Sequence, residues 1–279
     1  MAVPVLDPEA RYAHATTASD ALRNMLDDVP RIGIIAGTGT HALIEGLRKT
    51  ASVPFDEVPH MPTANDGTER YLQVGTLHGQ DVLVLPTPLH VYEGFTAHEA
   101  AFPVRVMGEL GIDTLLMAHP AGGVNPHLAP GDAMLISDHI NLQGVNPLEG
   151  PNIDDWGPRF PDMTAPYHAA LRTAAHEAAT AAGTRLHNGV YLGVPGPNLQ
   201  TSTEYRFMEQ IGADAVGAGL ISEVIAARHM DLRVLAWAVI TDACFADNLA
   251  PTPADAVADA ATQGATCIAA VLERLLPQL

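Results

Sequence analysis

Lysine is nearly missing from this chain. Lys49 stands alone, and the other cations are arginines; 14 cations face 32 Asp and Glu, a formal charge of −18 over 279 residues. Because Lys49 lies in Leu47-Arg48-Lys49-Thr50 and not behind a glycine loop, a Walker-type nucleotide site is excluded. Lysine Schiff-base chemistry has that one candidate. An acidic surface repels phosphate backbones, which argues against nucleic acid and anionic membranes as partners. Cysteine is equally scarce: Cys244 and Cys267 make neither a zinc set nor a disulfide framework, and both read as reduced thiols. No stretch of eighteen apolar residues offers a membrane span. Met1-Ala2-Val3-Pro4 lacks the basic region and apolar run of a signal peptide. The expectation is a soluble cytoplasmic protein. At this length the chain buries roughly three quarters of its unfolded surface, so neither metal nor disulfide is needed to fold it.

What is present is alternation. Short apolar, β-branched runs (31–36, 71–74, 81–85, 114–118, 133–136, 190–194, 213–216 and 234–241) predict strands. Longer amphipathic runs (8–26, 40–48, 96–110, 165–182, 201–211, 222–229 and 254–276) predict helices. Near-continuous apolar strands between helices indicate an α/β fold with its sheet covered on both faces. In the last helix Val257, Ala261, Ala265, Ile268, Val271 and Leu275 share one face, and Gly264 weakens it by about 1 kcal/mol against alanine. No repeat or low-complexity segment appears. The Gly/Pro-rich stretch 142–160 carries Trp156 and Phe160, which suits a long ordered loop better than a tether, so residues 1–279 read as a single domain.

Chemistry-bearing residues gather where strands end. Gly37-Thr38-Gly39 follows an apolar strand, as an anion cradle or simply as a sharp turn; the next glycine, Gly46, is too distant for a dinucleotide fingerprint. His90, Tyr92 and Glu93 follow another strand, where ligands meet α/β sheets. His119-Pro120-Ala121-Gly122-Gly123 closes a third. Pro195 to Thr201 leads into a helix, and Asp242 ends the strand at 234–241 as either a cap or a site carboxylate.

The order of these segments resembles the purine nucleoside phosphorylase superfamily, in its trimeric branch that includes the methylthioadenosine phosphorylases. The resemblance runs from about Arg31 to Leu275 and is strongest at 102–106, 121–123, 131–142, 212–217 and 223–229. It implies a single-domain α/β fold with a mixed, partly barrel-like sheet ringed by helices, assembled as a homotrimer. It implies cleavage of the N-glycosidic bond of a purine nucleoside, with no cofactor and no metal. The sugar departs as an oxocarbenium-like cation, so the enzyme must hold N7 of the base, steady the sugar and place a nucleophile beneath the anomeric carbon.

On the base side the resemblance implies a general acid at Asp242, where 6-oxopurine enzymes carry Asn and methylthioadenosine enzymes Asp. That role needs a protonated carboxyl, which burial beside the apolar strand favours. Gln200 replaces the glutamate typical of 6-oxopurine enzymes, again pointing to a 6-aminopurine. Leu199 and Ala218 match base- and sugar-packing positions, and Tyr92 and His90 match residues near the ribose and anion. Phe160 matches an aromatic residue that reaches the neighbouring subunit's sugar pocket. Ala254 falls where a histidine commonly touches the 5′-hydroxyl.

On the anion side the pattern is broken. The phosphate-binding arginine position is Pro88, and Pro120 removes a backbone N–H donor. Gly219 replaces a hydroxyl donor, and a loop histidine appears as Thr68 or a neighbour. Thr38, beside Gly39, is the surviving hydroxyl. An arginine fork and two further donors are worth several kcal/mol of phosphate binding. The expectation is therefore hydrolysis of an adenosine-like nucleoside, with His119 in the vacated pocket to orient or deprotonate water. Two alternatives stay open: phosphorolysis with phosphate held by Thr38, His90 and Arg70, and a nucleoside-binding protein or a fold reused for another reaction.

Overall fold

The strand β1 (Ile32–Ala36) is buried at every position and pairs in parallel with two neighbours, as its unbroken apolar run requires. The computed structural model describes residues 7–63 and 67–279; the Met1–Pro4 stretch lies outside them. Among the described residues, nine strands form one mixed sheet. Four make an open wing: β2 (Arg48–Pro54), β3 (Tyr71–Leu77), β4 (Gln80–Leu85) and β1. Five close on themselves: β5 (Thr114–Gly123), β6 (Ala133–Asn141), β7 (His187–Gly193), β8 (Ala215–Gly217) and β9 (Arg233–Ala243). The closure comes from β9, which lies parallel to β5 from Thr114↔Arg233 to Gly123↔Ala243 and antiparallel to β6 on its other side. The expected barrel-like sheet is thus a five-stranded ring with a wing joined through β5.

Helices cover both faces. On one side α1 (Pro8–Met25), α2 (Ala97–Leu110) and α5 (Ile221–His229) pack together over a core that includes Leu22, Val104, Met107 and Val224. On the other, α3 (Ala169–Ala182) and α6 (Ala254–Leu275) bury Leu171, Ile268, Val271 and Leu275 against Trp237 and Val239 of β9. Each such side chain contributes about 1.5–3 kcal/mol through the area it removes from water. Gly264 has a packing role: a Cβ there would meet Val239 Cγ1 at 2.6 Å, so the glycine lets α6 approach the sheet. The remaining helix, α4 (Ser202–Gln210), starts at a capping box of Thr201 and Glu204.

Two expectations change. The helix expected at 40–48 is a single 3-10 turn, His41–Ile44, followed by β2. That strand escaped notice because only Val53 in it is buried, leaving no alternation to read. The helix expected from 165 begins at Ala169. The stretch 142–160 is an ordered loop as expected: Trp156 packs on Ala15, donates to Glu109 Oε1 at 2.7 Å, and lies 4.4 Å beneath the Arg105 guanidinium. Burial lowers Arg105 to about 9. Among the described residues no helix is long and apolar enough to cross a membrane.

Candidate active site

The C-terminal ends of β1, β4 and β5 converge, which is where α/β sheets gather ligand-binding groups. After β1, the Gly37 N–H donates to Ala118 O at 2.7 Å and sets the glycine turn beside His119 of β5. A Cβ added at Gly37 would lie 3.1 Å from His119 Nδ1, and one at Gly219 only 2.6 Å from it. The same Gly219 Cβ would be 3.3 Å from His90 Cδ2, and the His90 and His119 rings meet edge-on at 6.3 Å. Two imidazoles and two glycines therefore share one small volume. Gly219 does more than lack the family's hydroxyl: no side chain fits there while the His119 ring holds its place.

Behind this pair lies a carboxylate. His119 is 1% exposed, and its Nε2 is 3.3 Å from Oε2 of Glu223, itself 4% exposed. Glu223 also accepts the Leu220 N–H at 2.9 Å. Leu220 sits at φ +76°, ψ −52°, and Ile221 N–H donates to Gly219 O at 3.0 Å across it. This is the strained form of γ-turn, a conformation that costs a leucine about 1–3 kcal/mol and persists where surrounding contacts over-determine it. Tyr191, fully buried, donates to the Gly219 carbonyl at 3.3 Å, and Gln143 donates to Ala218 O at 3.1 Å. Burial holds the Tyr191 hydroxyl well above its usual value, so it stays a donor.

On the other side of His90 a cation enters. Arg70 is buried; its Nη2 donates to Glu93 Oε1 at 2.7 Å, while Glu93 Oε2 accepts the His90 N–H at 2.8 Å. Arg70 Nε and Nη1 have no partner among the described residues, and the guanidinium lies 5.6 Å from the Phe95 centroid. Tyr92 stacks on His90 at 4.8 Å. Burial pushes His90 below the usual histidine value, His119 acts in the same sense, and Glu223 and Glu93 oppose it. Burial raises the Tyr92 hydroxyl.

The far end of the site is built from loops. Gly196 packs where a Cβ would meet Ala218 Cβ at 3.0 Å and Tyr92 Cδ1 at 3.3 Å, joining the 195–201 segment to the Tyr92 side. Asp242 pairs with Gly122 across β5 and β9, three residues beyond His119 and so about 10 Å farther along the strand. Its carboxylate accepts a hydrogen bond from the Thr252 hydroxyl. The burial expected for Asp242 is only partial: the residue is partly exposed near the end of β9. Tyr205 bridges Cys244 and the Gln200 backbone beside it, bringing the loop ends together. Both cysteines are free.

The sequence-predicted residues thus separate into groups. His90, His119, Gly219 and the Gly37 turn, with exposed Thr38 and Gly39 at its tip, come together; Tyr92 and Ala218 adjoin them. Pro88 is buried in the chain leading to His90, and Pro120 turns its carbonyl toward Gly217, 3.0 Å from where a Cβ there would sit. Leu199 is 78% exposed, and the Gln200 side chain donates to Asn198 O of its own loop. Ala254 is exposed at the first position of α6, and Phe160 is 86% exposed with its ring against Arg159. Sequence reasoning missed Glu223, Tyr191, Gln143 and Thr252. Glu223 had one signal, an acid three residues after the Gly219-Leu220 step at a helix start; the other three had none. Among the described residues no three His, Cys, Asp or Glu side chains converge as a metal-ligand set.

Comparison with known proteins agrees in sequence and fold. The model of the phosphorylase superfamily matches residues 31–277. Purine nucleoside phosphorylase 1 of Bacillus subtilis is 38% identical over 227 residues, covering 81% of this chain and 84% of its own. The crystal structure of isoform 2 of purine nucleoside phosphorylase from Schistosoma mansoni, in complex with cytosine and ribose-1-phosphate, superposes with TM-score 0.93 at 33% identity over 99% of both chains. Schistosoma mansoni purine nucleoside phosphorylase in complex with adenosine gives 0.90 at 31% identity, covering 96% of this chain and 97% of that one.

Proposed function

The chain belongs to the phosphorylase superfamily, and from that premise we propose that it cleaves the N-glycosidic bond of a purine nucleoside, with a 6-aminopurine as leaving base and water as acceptor. The observation that carries the choice of water is the filled anion end. There the His119 ring occupies the space between Gly37 and Gly219, a buried carboxylate stands behind it, and the arginine position is Pro88. A phosphate dianion brought against Glu223 would lose its hydration and gain a like charge, a cost that unmade donor contacts cannot offset. Water is small, neutral and matched to an imidazole base.

The substrate lies along β5 with its anomeric carbon toward His119 and its base toward Asp242. As the bond breaks, negative charge builds on the purine, and Asp242 donates to N7 with Thr252 holding the carboxyl. The fold itself does not select the base, since a related enzyme holds adenosine in its crystal; the 6-amino preference rests on Asp242 and Gln200. Tyr92 and Ala218 flank the sugar, Leu199 covers the base, and the small Ala254 leaves room for a 5′ substituent. The exposure of Phe160 supports a homotrimer in which each Phe160 enters the neighbour's sugar pocket. The cytoplasm is the compartment this reaction suits.

Phosphorolysis is the second reading, and Arg70 favours it: a buried guanidinium with unpartnered N–H groups lies one carboxylate away from His90, and relatives carry the phosphorylase name. Incubation with adenosine, methylthioadenosine and inosine, with and without phosphate, separates the two. Adenine release at the same rate without phosphate is expected. Release that requires phosphate overturns water as acceptor, and faster cleavage of inosine overturns the 6-aminopurine assignment.

A further inference from the structure

Resting on the hydrolytic reading, we infer that Glu223 is a positioning residue: it accepts the Nε2–H of His119 and leaves the Nδ1 lone pair facing the side-chain-free Gly37 and Gly219 as the base for the attacking water. Imidazole nitrogens are not equivalent, and whichever one meets an acceptor carries the proton. Here the two faces differ sharply. Nε2 is buried, lacks any well-formed hydrogen bond among the described residues, and has Glu223 Oε2 at 3.3 Å; the other carboxylate oxygen, Oε1, also has no partner. Buried polar atoms are rarely left so, and a small rotation of either side chain satisfies both. Catalytic hydrogen bonds are commonly long before substrate arrives. Nδ1 faces the opposite way, toward the bare Cα positions of Gly37 and Gly219.

The carboxylate is also fixed in place. The Leu220 N–H holds Oε2 at 2.9 Å, and the strained γ-turn at Leu220 presents that N–H. The turn at Leu220 therefore anchors the acceptor on Nε2, while the glycine just before it leaves the space beside Nδ1 free of a side chain. The other ionisable groups near His119 are His90, edge-on at 6.3 Å, and beyond it Glu93 and Arg70.

In the step so assisted, water at the Gly37–Gly219 side gives a proton to His119 Nδ1 while its oxygen bonds to C1′. The C1′–N9 bond breaks, and its electron pair passes to the purine, which takes a proton at N7 from Asp242. The products are the free sugar and the neutral base. His119 then returns its proton through solvent to Asp242, closing the balance.

The test is ¹⁵N NMR of the full chain with labelled histidine, the His119 signals being those lost in His119→Asn, together with phosphate-free kinetics of two variants. The wild type is expected to show the Nε2–H tautomer at His119. Glu223→Gln keeps an acceptor, so it should keep that tautomer and remain within about tenfold of the wild-type kcat. Glu223→Met removes the acceptor, so it should lose the tautomer preference and about 100-fold in kcat, with KM within about threefold. An Nδ1–H tautomer in the wild type overturns the inference even if no variant folds. So does equal kcat loss in both folded variants with the tautomer unchanged, the pattern of a merely structural carboxylate. Wild-type protein that releases no adenine without phosphate overturns instead the reading on which the inference rests, whatever the tautomer.

Discussion

The two ends of the pocket are made by opposite means. At the acceptor end His119, His90 and Glu223 are buried within the ring and wing, pinned by a strained turn and by glycines that cannot grow a side chain. At the other end Leu199 is almost bare, the Gln200 side chain bonds its own loop, and Asp242 is partly exposed with a hydroxyl from another loop upon it. Packed interiors resist single changes, whereas surface loops tolerate them. On the function proposed above, the difference teaches that the acceptor would be chosen by what the core leaves room for. On the same reading, base and sugar preference would be left to segments that can vary without disturbing the fold.

The largest test of that contrast is His119→Ala, expected to cost about 10²–10⁴-fold in phosphate-free kcat, measured as adenine release. A loss under tenfold breaks the assignment of the acceptor end. Next comes Asp242→Asn, expected to lower the rate on 6-aminopurine nucleosides by about 100-fold and to narrow the gap to inosine; an unchanged rate would remove Asp242 as the acid. Smaller, and aimed at the packing itself, is Gly219→Ser, which restores the family hydroxyl. It should cost about 1–3 kcal/mol in urea unfolding, because its Cβ falls 2.6 Å from His119 Nδ1. In combination with His119→Asn most of that cost should vanish, a coupling read by a double-mutant cycle. Additive costs would mean that the histidine and the glycine do not depend on each other.

The smallest expected effect is on pH. Burial is the leading cause holding His14, His90, His98, His139 and His229 below the usual histidine value. A histidine with a lowered folded pKa binds its proton more readily when unfolded. Stability is therefore full above the unfolded value of about 6.5 and declines as pH falls from there toward the folded values. A melting temperature several degrees lower at about pH 5 than at about pH 7.5 is expected, and a flat profile would contradict the lowered values of these rings.

Much of this was legible in the sequence where segments are apolar or ordered by family pattern. The buried strands β1 and β5 announced themselves, and so did the glycine turn, His90 and His119. Strand β2 did not, because an edge strand with a single buried side chain looks polar throughout. Glu223 did not stand out either, because its meaning lies in a contact with a residue on a distant strand and in a backbone angle that no residue type declares. The partial exposure of Asp242 depends on how the 246–253 loop lies over it, and that too is a long-range matter.

The open wing has a consequence for how copies of the chain meet one another. Among the described residues, the five ring strands have no free border, and β2, at the margin of the wing, is where an unpaired ladder remains. Its outer half reads Arg48-Lys49-Thr50, all three exposed. In a chain with so few cations, the single lysine and an adjacent arginine stand on that free border, where charge deters another strand from adding on. Positive charge, scarce throughout the chain, is placed where it keeps the sheet from growing.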